Sequence, residues 1–282
     1  MTERPGGSDV SQTETTATSL AGNAQASSGT PYSLNGFKWF SSASDCQVAI
    51  ALARTGPLSL GSRSLTLFLV PLRLPILPTP STSPISNGIL VHRLKNKFGT
   101  VCVSDYLSTI NLFMTTPQHA LPTAELSLND TKAYLLSPLN EGVKHITPVL
   151  NITRIHCSVS GIGSLSRALA IARSYATVRS ITVPDGQGSK RAKQLLKDTP
   201  LYMSVLAKVG TTYHALTHLT FGTIALLGKS ECGTSNKDEE ARLRLLTPAV
   251  KAFVSDRALA AMEVCMASLG GQGYMEESVI GR

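Results

Sequence analysis

Short apolar runs typical of β-strands dominate the first half of the chain. The runs cover residues 32–40, 47–53, 65–70, 88–92 and 124–128. Asn35-Gly36, inside the first run, is a dipeptide typical of hairpin turns. Residues 11–30 read as a loop or a loose strand pair, and the proline-rich stretch 71–86 predicts a long surface loop. Together these signals predict a small antiparallel barrel or sandwich.

The second half changes to the 3.6-residue spacing of amphipathic helices. Apolar residues recur at Val149, Ile152, Ile155, Val159, Ile162, Leu165 and Leu169. Predicted helices cover about 148–183, 200–227 and 238–269. Pro148 suits a first turn and Pro248 predicts a kink. The first segment is one helix, or two with a kink near Gly161 and Gly163.

These patterns predict an α+β fold, with an antiparallel β-barrel or sandwich domain followed by an antiparallel α-helical bundle. The predicted domains are residues 1–137 and residues 138–282. A chain of 282 residues is long enough for one large domain or two ordinary ones.

The amino-acid composition restricts the possible class of protein only slightly. The hydrophobic fraction of 42% is ordinary for a soluble protein, and no apolar run of about 18 residues is present. The net charge of +8 is compatible with an anionic ligand or nucleic acid, but the densest basic stretch, 190–197, fits a solvated loop better. The 5 scattered cysteines favour free thiols in a reducing, intracellular compartment, without distinguishing cytoplasm, mitochondrion or peroxisome. Their spacing predicts no metal site.

Two polar stretches are candidates for ligand binding. Residues 1–10 contain Gly6-Gly7-Ser8, and such loops bring backbone N–H groups close to phosphates. Trp39, the only tryptophan, lies near Ser41, so its ring can cover an aromatic ligand while the hydroxyl bonds the ligand's polar edge. An ordinary turn and a core aromatic residue are the alternatives.

Four short motifs, which include these two stretches, follow one another in order along the chain. They are Thr2-Glu3 with Gly7-Ser8-Asp9, Lys38-Trp39-Phe40-Ser41, Ala53-Arg54-Thr55, and Gly270-Gly271-Gln272-Gly273-Tyr274. In this order they resemble the acyl-CoA dehydrogenase family of flavoenzymes. The opening Met-Thr-Glu-Arg-x-Gly-Gly-Ser-Asp-Val is similar to the AidB-like (alkylation-response) branch of that family.

The resemblance implies FAD, held between the β-domain and the helical bundle. Thr2 would then bond the flavin edge, and Gly7 and Ser8 would meet the pyrophosphate. Trp39 would pack against the isoalloxazine ring, and Ser41 would bond its N5 side.

In the bundle, the resemblance implies cofactor roles for Arg179, Gly270 and Gly271. Arg179 would reach the pyrophosphate in a neighbouring subunit, which implies a homo-oligomer, although the Phe-Gly that usually follows is absent. Arg154 matches an arginine at the substrate end of the bundle, and Ser8 would also contact the acyl-CoA. No membrane partner is implied.

The family's reaction is α,β-dehydrogenation of an acyl-CoA thioester, with a glutamate as the base. The usual base lies beyond Arg282, and at the alternative position on the first bundle helix this chain has Thr153. The helical domain that precedes the Met-Thr-Glu loop in the family is also not found. The resemblance therefore implies an oxidoreductase copy shortened at both ends, without its catalytic glutamate.

Two alternatives stay open. The first alternative is a non-catalytic flavin-binding, DNA-associated AidB-like protein, which the resemblance to that branch and the positive charge allow. Residues 101–118 have no counterpart in the family pattern, which indicates either a retained intron or gene-model error, or a genuine loop insertion.

Overall fold

The chain folds into two compact units, which divide after Thr147. The computed structural model describes residues 2–7, 9–22, 26–75, 85–95, 122–184, 191–275 and 280. The atypical segment 101–118 lies outside the described residues. The sequence analysis placed the domain border after residue 137, whereas the contacts divide the chain after residue 147, because the first turns of the first helix pack on the β-unit.

Short strands build the first unit, and its main sheet closes on itself. The described strands are β1 (Thr16–Ser19), β2 (Pro31–Ser42), β3 (Val48–Arg54), β4 (Leu65–Pro71), β5 (Arg73–Leu74), β6 (Ile85–Ser86), β7 (Ile89–Leu94) and β8 (Thr123–Leu135). The order β2-β1-β3-β4-β8 returns to β2, and β7 pairs with β8. All of these pairings are antiparallel except one parallel position between β1 and β3. Closure removes unpaired strand edges from the barrel.

Apolar side chains from most of these strands fill the barrel. The fully buried set is Tyr32, Leu34, Ala51, Ala53, Phe68, Val70, Leu128, Ala133 and Leu135. Tyr32 and Phe68 pack ring to ring, with centroids 5.1 Å apart. Burying one such large apolar side chain contributes about 1.5–3 kcal/mol. The apolar runs that predicted these strands thus supply the barrel core, and in β3 and β4 consecutive residues are buried.

One turn prediction was wrong. Asn35-Gly36 lies inside the continuous strand β2, where the pairing with β8 shifts register, and does not form a hairpin turn. A Cβ at Gly36 would lie 2.7 Å from the Cα of Thr15. Gly36 is therefore needed because another part of the backbone passes close to the strand.

A buried ion pair crosses the barrel interior. Lys38 is 1% exposed, and its ammonium lies 2.5 Å from a carboxylate oxygen of Glu3 and 3.0 Å from the carbonyl oxygen of Leu52. The Glu3 carboxylate also accepts hydrogen bonds from the Thr15 hydroxyl and the Glu14 amide. Burial alone would raise the pKa of Glu3, but the Lys38 ammonium and these hydrogen bonds hold that pKa below its ordinary value.

The first helix starts earlier than its proline suggests. Helix α1 covers Gly142–Val178, so Pro148 lies inside it and not in its first turn. Val143 and Ile146 pack against a small apolar cluster of the barrel. This packing stabilises the turn that precedes Pro148 and overrides the helix-breaking tendency of the proline. The segment forms one continuous helix past Gly161.

A strand pair follows α1 where the sequence analysis extended the helix. Strand β9 (Ser180–Pro184) pairs antiparallel with β10 (Arg191–Leu195). Residues 180–183 are β-branched or small, and their pairing with β10 outweighs the weak helical pattern. The helix prediction beyond Val178 was therefore wrong.

Helices α2 (Pro200–Glu231) and α3 (Lys237–Ser268) complete the second unit. Asn236 and Glu239 form a reciprocal capping box at the start of α3. The Tyr202 hydroxyl donates to the Ser268 carbonyl, so the start of α2 lies beside the end of α3. The shared core is Ile162, Leu165, Ala168, Leu169, Ala172, Leu206, Val209, Leu216, Val250, Val254, Ala258, Ala261 and Cys265. The predicted α+β fold is confirmed, with an antiparallel barrel followed by antiparallel helices.

Glu3→Gln should destabilise the chain by about 3–5 kcal/mol, because the Lys38 ammonium would stay buried without a counter-charge. Chemical unfolding monitored by circular dichroism measures this loss. The double variant with Lys38→Met should regain most of it. Glu141→Gln, which removes the exposed partner of Lys144, is the matched control and should stay within about 0.5 kcal/mol. Equal effects at Glu3 and Glu141 would contradict the assigned importance of the buried pair.

Acid should also affect the stability of the unmodified chain and of Glu3→Gln differently. The pKa of Glu3 is lower in the folded state than in the unfolded state, so its contribution is present above the unfolded value and is lost as pH falls through the folded value. The free energy of unfolding of the unmodified chain should therefore fall more steeply in acid than that of Glu3→Gln. Parallel pH profiles would refute this linkage.

Candidate functional site

A cleft of about 350 Å³ opens on the barrel beside the end of β2. It is lined by Thr2, Phe40, Ser41, Ser42, Ala43, Ser44, Cys46, Val48, Ala49, Ile50, Leu72 and Leu126. One part of the lining consists of hydroxyl groups and the other of aliphatic side chains. Such a lining suits a ligand with a flat apolar body and a polar edge.

Ser41 carries an unused hydrogen-bonding group on the wall of this cleft. The residue is 3% exposed, and its hydroxyl has no hydrogen-bond partner among the described residues. The pairing of β2 with β8 shifts register between Lys38 and Ser41, so both residues are buried although they are three positions apart. A buried hydroxyl without a partner is costly, and a bound ligand could satisfy it.

Thr2 is held at the cleft by its backbone. Its carbonyl oxygen accepts hydrogen bonds from the amides of Trp39, at 2.9 Å, and Phe40, at 3.4 Å. Glu3, the next residue, is anchored inside the barrel by Lys38. The structure therefore brings two predicted site residues, Thr2 and Ser41, to one cleft.

Trp39 does not line this cleft. Its ring contacts two cations, the Lys95 ammonium at 3.2 Å and the Arg4 guanidinium at 5.0 Å from the ring centroid. Lys95 is in turn paired with Glu125 at 2.7 Å, and Phe37 lies 6.5 Å from the Trp39 ring. These contacts are the geometry of a cation–π cluster.

Phe40 is the aromatic side chain that does line the cleft, and the sequence analysis missed it. Ser42 was also missed, and its hydroxyl lies 2.9 Å from that of Thr123. The signal was available in part, because adjacent strand residues point to opposite faces and Trp39 and Phe40 could not both face one ligand. The register shift that buries Ser41 was not visible in the sequence.

The glycine loop has the conformation that its composition predicts. Gly7 has φ +53°, and its amide donates to the Glu3 carbonyl at 3.1 Å. Asp9 follows, and its carboxylate accepts a hydrogen bond from the Ser11 amide. Hydrogen bonds from the Ser11 hydroxyl and then from its amide lower the pKa of Asp9. Ser8, predicted to meet both cofactor and substrate, lies outside the described residues.

The remaining predicted residues belong to the second unit. Thr153 and Arg154 are exposed on α1, and the Thr153 hydroxyl donates to the Leu150 carbonyl at 2.9 Å. Arg179, also exposed, directly follows α1, which places it about 37 Å along the helix from Arg154.

Gly270 and Gly271 begin the short 3₁₀ helix Gly270–Tyr274 after α3, and Gly270 has φ +62°. Arg173, near the end of α1, acts electrostatically on Cys265, near the end of α3. Arg179 and the two glycines therefore lie at the same end of the helical unit, whereas Arg154 lies far from that end.

Three further features of the part of the chain that the structure describes concern potential metal ligands, apolar helices and cysteines. No group of three or more potential metal-ligating side chains occurs there. None of the helices described has both the length and the apolar character that crossing a bilayer requires. Four described cysteines are free thiols, and burial raises the pKa of Cys265 to about 11.

Comparison with known proteins matches both units to one family. Residues 1–106 match the acyl-CoA dehydrogenase middle domain, and residues 149–282 match the acyl-CoA oxidase C-alpha1 domain. The two matches correspond to the barrel and to the helices. The fold and the domain matches thus agree along most of the chain.

Individual relatives match over nearly the whole chain. Acyl-CoA dehydrogenase family member 11 of Caenorhabditis elegans is 36% identical over 99% of this chain, which covers 39% of that protein. The putative acyl-CoA dehydrogenase AidB of Escherichia coli is 27% identical over 100% of this chain, which covers 42% of it. The crystal structure of C. elegans ACDH-11 in complex with C11-CoA superposes with a TM-score of 0.75 at 35% identity, covering 100% of this chain and 41% of that one.

The chain thus spans about two fifths of the length of these curated relatives. Both of its units match, in order, the domains of one family, and the similarity of fold extends over their full length. The chain belongs to the acyl-CoA dehydrogenase family.

Proposed function

We propose that this chain binds FAD in the barrel cleft and provides the cofactor site of an acyl-CoA dehydrogenase-type oxidoreductase. Members of the family typically bind FAD, and the solved relative ACDH-11 was crystallised with C11-CoA. The reaction class is the α,β-dehydrogenation of an acyl-CoA thioester. Bound FAD would supply the hydride acceptor for that reaction.

The observation that carries the proposal is the unpartnered Ser41 hydroxyl. It is buried, it lies on the cleft wall, and none of the described residues accepts or donates a hydrogen bond there. A flavin ring offers nitrogen and oxygen atoms along one edge, which such a hydroxyl can bond. The aliphatic side of the cleft, formed partly by Val48 and Ile50, suits the apolar end of the same ring.

Each nearby residue has a definite part in this proposal. The Thr2 hydroxyl provides a second polar contact for the ring edge, and Phe40 provides an aromatic surface. Gly7, with its positive φ, allows the tight turn of a loop that would lie against the phosphate oxygens, although its own amide is bonded to the Glu3 carbonyl. The dinucleotide would thus be bound through its ring in the cleft and through its phosphates at the loop.

The resemblance also implies cofactor and substrate roles for residues of the second unit. We propose that Arg179 binds pyrophosphate oxygens, since a guanidinium can bond two phosphate oxygens at once. Gly270 and Gly271 would let the backbone approach the dinucleotide. If Arg179 serves a neighbouring subunit, as the resemblance implies, the chain functions as a homo-oligomer. Arg154 would contact the acyl-CoA.

Catalysis by these residues would be limited at the step in which a base removes a proton from the substrate. Thr153 occupies the position of the alternative family base, and its hydroxyl is bonded to the Leu150 carbonyl. A threonine hydroxyl cannot accept a proton at neutral pH as a carboxylate can. We therefore propose that the 282-residue chain alone binds the cofactor but dehydrogenates acyl-CoA weakly or not at all.

A DNA-associated AidB-like role is not the function proposed. Identity to AidB is 27%, against 36% for the C. elegans relative, so the comparisons do not favour that branch. Cofactor chemistry is supported by the cleft, whereas the DNA role rests on net charge.

FAD binding should quench the fluorescence of Trp39, the single tryptophan, because flavin absorbs where indole emits. Ser41→Ala should weaken FAD binding by roughly 3–10-fold through loss of one hydrogen bond. The same change should leave the unfolding temperature of the FAD-free protein unchanged or slightly higher, because no internal hydrogen bond is lost.

Ser33→Ala is the matched control for Ser41→Ala. Ser33 is also buried, but its hydroxyl donates to Asp130 at 3.1 Å. This variant should lose stability while retaining FAD affinity. Undiminished FAD binding by Ser41→Ala would contradict the proposed role of the hydroxyl.

Thr153→Glu should create the missing base and make acyl-CoA bleach the flavin absorbance roughly 10²-fold faster than in the unmodified chain. Thr153→Gln, which has nearly the same shape but cannot accept the proton, should remain as slow as the unmodified chain. Stopped-flow absorbance measures both. Equal rates for the Glu and Gln variants would reject Thr153 as a base position, and rapid bleaching by the unmodified chain would show that another base is present.

A further inference from the structure

Arg54, the last residue of β3, is a buried cation with an unusual set of partners. It is 4% exposed, and its guanidinium donates only to neutral oxygen atoms. These are the carbonyls of Thr13, Ser11 and Gly61 at 2.5, 2.6 and 2.7 Å, and the Ser64 hydroxyl at 2.5 Å. The hydrogen-bonding needs of the group are therefore largely met.

Its charge, however, is not balanced within the described residues. No carboxylate there lies within 4.0 Å of the Arg54 guanidinium, and Asp9, close in sequence to its partners, is bonded to the Ser11 amide instead. Arginine stays protonated in proteins, so a positive charge remains inside the barrel unit. Buried charges are normally paired, and a nearby anionic ligand would provide the partner.

The position of Arg54 indicates which kind of anion would balance its charge. Two of its partners, Ser11 and Thr13, lie in the stretch that continues the Gly6-Gly7 loop. Gly61 has φ +56°, and a Cβ there would lie 3.8 Å from the Ser11 Cβ, so the two loops that Arg54 joins are in contact. The guanidinium therefore fixes residues 11 and 13, which continue the glycine loop along the chain, and keeps a buried positive charge beside them.

We infer that Arg54 is a positioning residue for a diphosphate: it orders residues 9–13, and its charge favours pyrophosphate oxygens at the adjacent glycine loop. This inference rests on the proposed FAD site and deepens it. It assigns the charge selectivity of that site to a residue that does not touch the ligand. A neutral anchor making the same hydrogen bonds would order the loop without this selectivity.

The test compares two flavins that share a ring but differ in phosphate. Arg54→Met should weaken binding of FAD roughly tenfold more than binding of riboflavin, because only FAD carries the negatively charged diphosphate that the Arg54 charge attracts. Trp39 fluorescence titration of each flavin at low and high salt measures the ratio. The FAD-specific part of the affinity should also decrease with salt.

Matched variants separate charge from structure. Arg63→Met removes an exposed arginine of the same loop and should leave the FAD-to-riboflavin ratio within about twofold of the unmodified chain. Arg54→Lys keeps the charge and should retain the ratio, while both affinities fall through the lost hydrogen bonds. A purely structural role predicts instead that Arg54→Met weakens both flavins by the same factor, and that result would overturn the inference.

If Arg54→Met does not fold, a second variant and a second ligand still test the inference. Arg54→Gln retains hydrogen-bonding capacity and should show the same selective loss of FAD. In the unmodified, FAD-free chain, inorganic pyrophosphate should raise the unfolding temperature, and salt should abolish the rise. The absence of that rise would overturn the inference while leaving riboflavin and FAD binding, and so the proposed function, intact. Failure of the unmodified chain to bind either flavin would overturn both.

Discussion

The barrel unit depends on the ion pair between Glu3 and Lys38. Glu3 follows Thr2 directly, and Lys38 precedes Trp39 and Phe40, so the pair ties the start of the chain to β2 where the cleft opens. Two opposite charges buried together are tolerated only because each finds further hydrogen bonds, from Thr15 and to Leu52 among others. The pair thus supports the hydrogen bonds that the Thr2 carbonyl accepts from the Trp39 and Phe40 amides.

A second cation, Arg54, organises the next part of the same chain segment. Its hydrogen bonds hold residues 11–13 against the loop that contains Gly61. Lys38 is paired with an internal carboxylate, whereas Arg54 bonds neutral oxygens. This difference separates a charge that is paired within the fold from one that has no carboxylate partner among the described residues, although both side chains are almost fully buried.

Much of the fold could be predicted from the sequence because apolar runs mark the barrel strands and a 3.6-residue apolar spacing marks the helices. The apolar runs at 47–53 and 65–70 became β3 and β4, and the long helical pattern after residue 148 became α1. The failures came where contacts distant in sequence decided the outcome. Thr15 requires a glycine at position 36 inside a strand, and the barrel stabilises a helical turn before Pro148.

For the candidate site, too, some features could be predicted from the sequence and others could not. The sequence alone determined the residue types: the glycine loop, the threonine beside it, the serines near Trp39 and the threonine at position 153. Only the tertiary structure decided that Ser41 is buried without a partner while Trp39 lies under Lys95, because a register shift between β2 and β8 sets which side chains face the cleft. A sequence records which groups are present, but strand pairing determines which of them share a surface.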